Sequence, residues 1–160
     1  MKYLAILTSA LLLSACSASS QVDLAGTNGA GESAIISEVD VKEDVADWGT
    51  FYPYFTEDTH VLSPVLVGVA KIKQGQEIHP PHRHGDEEYL MVTKGEGIWH
   101  LNGVDSPAKE GDILFARAWD YHGITAANDS PLEFVVFKYS GRHIQAPTDP
   151  DPNLPEELDR

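Results

Sequence analysis

The sequence predicts an all-β domain, a sandwich or barrel of short antiparallel strands, on three observations. Runs rich in Val, Ile, Leu, Phe and Tyr recur between residues 65 and 139, bounded by Gly, Asn, Asp and Pro. Asn102-Gly103 separates two such runs, and this pair accepts the positive φ angles of a type I′ hairpin turn. No window of 12 or more residues past the first 15 carries a convincing 3.6-residue apolar period. Short strands at regular spacing with turn residues between them argue for closure into a sandwich or barrel.

Residues 1–15 stand apart from that domain. Lys2 is followed by an apolar run over residues 4–13, then the small residues Ser14 and Ala15 before Cys16. Ten apolar residues fall well short of the ~20 that a spanning helix needs, so the segment reads as a secretory signal. Leu13-Ser14-Ala15-Cys16 resembles the lipobox of bacterial lipoproteins. That resemblance implies cleavage before Cys16, acylation of its thiol with a fatty acid such as palmitate, and membrane attachment through that lipid. Ser17 after the cysteine implies the outer membrane, facing the periplasm. Cys16 is the only cysteine, so no intrachain disulfide staples the fold. Residues 16–34 are rich in Ser, Gly and Ala without apolar periodicity and read as a flexible tether.

The folded body is expected over residues 35–144. A weak run over residues 38–47 predicts a helical turn, and the aromatic stretch Trp48 to Phe55 an N-terminal strand. Residues 65–72 form a continuous apolar run of the kind covered on both faces. Residues 88–93, 97–101, 112–116 and 133–139 are the further strands, with a break expected at Gly95-Glu96-Gly97. Residues 145–160 hold four prolines and five acids and read as a tail, disordered or extended on the surface.

Charge narrows the partners. Twenty-five acids against 11 basic residues give a net charge of −14, which repels the phosphates of a nucleic acid and disfavours anionic lipid. The acidity suits the solubility of a tethered extracytoplasmic domain. A small molecule is the expected partner, and a homodimer is an open alternative to the monomer.

Seven histidines mark the chain, five of them between His79 and His122. His82 and His84 stand at i and i+2, which on a strand share a face. A carboxylate follows in Glu87 or Glu88. Alternation leaves both open, because the Gly85-Asp86 turn can reset parity. His122 returns 34 residues after Glu88, with enough chain to come back beside the first pair. Three imidazoles and a carboxylate suit one divalent first-row metal: Fe, Mn, Ni, Zn or Cu.

These residues resemble the cupin family, whose motifs read G-x5-H-x-H-x3,4-E-x6-G and G-x5-P-x-G-x2-H-x3-N. His82, His84, Glu88 and Gly95 match the first at family spacing, with Gly75 one residue too far upstream. Gly111 and His122 match the second, while Arg117, Trp119 and Ala126 replace its proline, glycine and asparagine. The likeness covers about residues 71–139. It implies a jelly-roll barrel (a double-stranded β-helix), a metal on His82, His84, Glu88 and His122, and Leu90 and Val92 on the inner face.

Arg117, Trp119, His100 and Tyr121 are the substrate-binding candidates. Arg117 is expected to turn toward the barrel mouth and favour an anionic substrate. His100, like His79, is also weighed as a surface or packing histidine. No residue is singled out as a catalytic acid or base. The fold hosts many chemistries, and three remain open: an oxygen-dependent dioxygenase, favoured here; a metal-dependent lyase or isomerase of a sugar acid or small carboxylate; and a non-catalytic ligand- or metal-binding module. The lipid anchor has a direct test. In Cys16→Ser cells fed radiolabelled palmitate, the protein should carry no label and remain uncleaved; retained label would overturn the reading.

Overall fold

The computed structural model describes residues 33–158. The signal, Cys16 and most of the tether lie outside the described residues. After a 3-10 turn over Glu38–Asp40 come eight strands: β1 (Asp44–Ala46), β2 (Gly49–Phe55), β3 (Leu62–Ile72), β4 (Glu87–Leu101), β5 (Val104–Lys109), β6 (Ile113–Ala116), β7 (His122–Ala126) and β8 (Leu132–Gly141). All pairings are antiparallel, in the order β1-β2-β3-β8-β4-β5, with β6 and β7 also on β4. The all-β architecture is the one expected from the strand pattern, and its jelly-roll form the one that the family resemblance implies.

The core lies between the two sheets. Ala70 and Ile72 of β3, Leu90, Val92 and Trp99 of β4, Leu114 of β6, Ile124 of β7, and Leu132, Phe134 and Val136 of β8 form it. Along β8, Leu132, Phe134 and Val136 are buried, with half-exposed Glu133 and Val135 between them, which is the period of two that a sheet with one covered face imposes. The Asn102-Gly103 turn is present, with φ of 50° and 79° and Leu101 opposite Val104.

The helical turn expected within residues 38–47 is present as the 3-10 turn over Glu38–Asp40, ahead of β1. One expectation needs correction. The break at Gly95-Glu96-Gly97 is absent, and β4 runs unbroken through it for 15 residues. Its first half pairs with β8 and β6, reaching Gly95 on β8 after a register shift between Val92 and Lys94, and its second half pairs with β5 and β7 from Glu96 onward. Glycine permits the crossing. A Cβ on Gly95 (φ 83°) would lie 2.0 Å from the Pro131 carbonyl oxygen, and one on Gly97 2.3 Å from that of Thr125. Glycine here serves close backbone approach at a barrel corner rather than chain reversal.

Residues 145–158 lie extended against the barrel. The Arg83 amide donates to the Glu156 carbonyl (2.8 Å), and the Leu158 amide to that of Pro81 (2.9 Å). Trp119 Nε1 donates to the Pro147 carbonyl (2.7 Å), and the Tyr121 hydroxyl to that of Pro155. Gly95→Ala should destabilise the protein by about 2 kcal/mol or more, through both the forced contact and the positive φ. Urea denaturation followed by circular dichroism checks this, and a midpoint equal to wild type would contradict it.

Candidate metal centre

The centre is assembled by backbone pairing before any side chain meets another. His82 and His122 exchange amide hydrogen bonds: the His82 N–H donates to the His122 carbonyl (3.0 Å) and the His122 N–H to that of His82 (2.9 Å). This single bridge aligns the loop after β3 with the start of β7. His84 follows in irregular chain rather than on a strand, so strand alternation does not bring the H-x-H pair together. The loop is held from three sides instead: by β7 at His82, by the tail at Arg83, and by the Trp119 amide donating to the His84 carbonyl (2.7 Å).

Glu88 is the second residue of β4. It shares the buried face with Leu90 and Val92, whereas Glu87 is exposed. The carboxylate facing the histidines is therefore that of Glu88. Ligand atoms of His82, His84, Glu88 and His122 all lie within 4.8 Å of one another, close to twice a metal–nitrogen bond of ~2.1 Å.

The hydrogen bonds of these side chains fit a cation. His122 Nδ1 faces the Asp120 carbonyl at 2.8 Å, and His84 Nδ1 that of Asp86 at 3.2 Å. A carbonyl only accepts, so both Nδ1 atoms carry protons and both Nε2 atoms are free to act as lone-pair donors. Those Nε2 atoms point at Glu88, at 3.2 Å from His84 and 3.6 Å from His122. Each ring meets the carboxylate either as an imidazolium or through a shared cation. His122 is 1% exposed, and its Nε2 and His82 Nδ1 have no hydrogen-bond partner. Burial first, then the neighbouring rings of His79 and His122, lowers the His82 pKa to about 3, so it stays neutral. For Glu88, burial alone would raise the pKa, but the His122 and His84 rings outweigh it and hold the group below the usual carboxylate range. Two orphaned imidazole nitrogens beside an anionic oxygen fit a divalent transition metal.

The cluster opens into a cavity of about 310 Å³. His82, Glu88 and His122 form its floor, and Trp48, Phe51, Leu66, Leu90, Ile124 and Phe134 are among the apolar residues of its walls. Lys138, which the sequence did not single out, lines it as well, and so does His79, weighed above as a surface or packing histidine. His79 lies 4.0 Å from His82 between ring centroids, and its Nδ1 faces the Pro80 carbonyl at 2.9 Å. Only the strand parity of β8, read together with its pairing to β4, signals Lys138.

None of the four substrate-binding candidates lines this cavity. Arg117 is turned into solvent, its side chain 74% exposed, and bonds Asp120 three residues on at 3.1 Å. The short reach to Asp120 within one turn holds the guanidinium away from the barrel mouth. Trp119 and Tyr121 are engaged with the tail through the hydrogen bonds described above. His100 is buried on another face, with Nδ1 2.6 Å from Asp105 Oδ1 and Nε2 2.9 Å from Thr125 Oγ1, and the Thr125 hydroxyl donates to Glu77 (2.8 Å). It joins β4, β5 and β7.

Replacing His82 or His122 by Ala should remove most of the bound metal from the purified protein, while Glu87→Gln should not; elemental analysis per chain reads this directly. Acid should also weaken the metal-free fold. An unfolded imidazole protonates near 6.5 while the buried His82 resists down to about 3, so protons favour the unfolded chain between those values and stability falls as pH drops. Thermal melts of His82→Ala should show a shallower loss over that window.

Comparison with known proteins agrees with this architecture. Residues 68–138 match the cupin domain model. Over 56 residues the chain is 38% identical to the oxalate-binding protein of Thermotoga maritima, covering 34% of this chain and 46% of that one. Over 74 residues it is 30% identical to gentisate 1,2-dioxygenase of a Streptomyces species, covering 46% and 21%. The chain thus spans less than half the length of these curated relatives. A solved structure from Thermotoga maritima, described as a predicted oxalate decarboxylase, superposes with a TM-score of 0.53 at 23% identity, over 66% of this chain and 98% of that one. Residues 68–138 are thus similar to a cupin domain, and the solved structure shares the fold of the barrel.

Proposed function

We propose that the barrel is a metal-dependent enzyme acting on a small organic molecule, with oxygen-dependent cleavage as its reaction. One observation carries this reading: a cluster of three imidazoles and one carboxylate adjoins an apolar cavity of about 310 Å³, to which His82, Glu88 and His122 contribute the floor. Held by His82, His84, Glu88 and His122, a first-row metal would supply a Lewis-acid centre with coordination positions left over for reactants. The chain's own residues do the remaining work. The walls around Phe51, Leu90 and Phe134 exclude water and hold an apolar body against the floor. His79, its Nδ1 proton given to the Pro80 carbonyl, keeps its Nε2 lone pair as a proton acceptor at the cavity wall. The partial identity to gentisate 1,2-dioxygenase supports the oxygen-dependent form. The lipobox at Cys16 supports a site carried on the cell envelope, lipid-anchored at the outer membrane and facing the periplasm.

A second reading, capture of a small carboxylate without turnover, draws on the identity to the oxalate-binding protein. An oxygen electrode separates the two. Protein reconstituted with Fe(II) should consume oxygen with at least one member of a panel of small organic acids that includes dihydroxybenzoates, and His122→Ala should lose at least about 100-fold of that rate, in the range typical of losing one transition-state contact. Binding without oxygen uptake across the panel favours capture. Substrate proton exchange without oxygen uptake points to a lyase or isomerase, with His79 as the group that moves the proton.

A further inference from the structure

Lys138 is a cation of the cavity wall that the metal centre does not use. It lies two residues past Val136 and four past Phe134 on β8, so alternation turns it to the same inward face, and all three line the cavity. In the ladders Lys138 stands opposite Glu88 on one side and Leu66 on the other. Directly opposed residues hold their Cβ atoms about 4.5–5.5 Å apart, so the lysine stem starts beside the innermost carboxylate. Yet among the described residues its ammonium makes no hydrogen bond or ion pair. Lys71, Arg83, Arg117 and Arg142 pair with acids, and of the described lysines whose ammonium makes neither bond (Lys42, Lys94, Lys109 and Lys138) only Lys138 lines the cavity. In a chain with 25 acids against 11 basic residues, a cation left unpaired in an apolar cleft is a recognition point. Attraction to an anion is also stronger there than in open water.

We propose that Lys138 binds the carboxylate of the ligand, so that the site selects an organic acid with an apolar body. This deepens the reading of the barrel as a small-molecule enzyme and rests on it for where the ligand sits. A single ammonium, with Glu88 and Asp44 also lining the cavity, suits one negative charge. A phosphate dianion would meet two acids and one base. The apolar walls then take the ring or chain that carries the carboxylate.

The test uses benzoate and benzamide, which share a shape and differ in charge, titrated calorimetrically into wild type, Lys138→Met and Lys138→Arg. Each titration is run on chelator-treated protein, where no metal competes for the carboxylate, and again after metal loading. Wild type should prefer benzoate by about tenfold or more, a factor within reach of one cleft charge pair. Lys138→Met, which keeps the apolar stem, should lose that preference while benzamide stays within about twofold; Lys138→Arg should retain it. Equal loss of both probes in Lys138→Met, unchanged benzoate binding, or no charge preference in wild type would overturn the proposal. The two readings fail separately. Charge preference in a protein that binds no metal would end the metal reading alone, and bound metal without charge preference would end this one alone.

Discussion

One strand has to satisfy two sheets, and the rest of the molecule is arranged around that constraint. β4 gives its first half to β8 and β6 and its second to β5 and β7. Its 15 residues therefore fix the relative position of both layers of the jelly roll. The change-over needs backbone closer to backbone than any side chain permits, and Gly95 and Gly97 provide it. Parity along the same strand then sends Glu88, Leu90 and Val92 inward together. The position of the carboxylate and the integrity of the core follow from one register.

The pattern of short strands and the Asn-Gly hairpin were legible in the sequence because each rests on a local rule. The three histidines of the cluster were legible from residue type and spacing, while Glu88 was separated from Glu87 only by the family resemblance. His82 and His84 converge because a bridge to β7 and a strap of tail hold their loop, and no alternation rule contains that information. β5 was illegible for a different reason. It reads VDSPAK and buries only Ala108, so an edge strand with polar residues left no apolar signal. The Gly95–Gly97 segment misled because glycine marks both turns and close crossings, and only the neighbour at Pro131 distinguishes them.

Charge in the pocket was harder to read than ligands. Arg117 attracts notice as a departure from a motif, but its side chain finds Asp120 within three residues and leaves for solvent. Lys138 draws no notice in a run of apolar residues, although the parity of β8 carries it inward. Local partners therefore decide the fate of an arginine in a turn, while strand parity decides that of a lysine in a sheet. The cluster itself is a gathering of acceptors: two Nε2 atoms and a carboxylate face one another with their protons held elsewhere. Such a gathering is costly unless a cation resolves it.

The tail gives the loop a dependence on chain that follows the barrel. Arg83 lies between the two histidines at 4% exposure, and its guanidinium reaches the Asp149 carboxylate at 2.6 Å and the Asp151 carbonyl at 2.8 Å. Trimming at residue 144 would remove both oxygens and strand a cation inside the protein, at a cost on the order of 3–5 kcal/mol if it cannot swing out. The loop would relieve that by opening, and His82 and His84 would move with it. A protease acting on a proline-rich surface segment would thus disarm the centre without touching any residue that forms it.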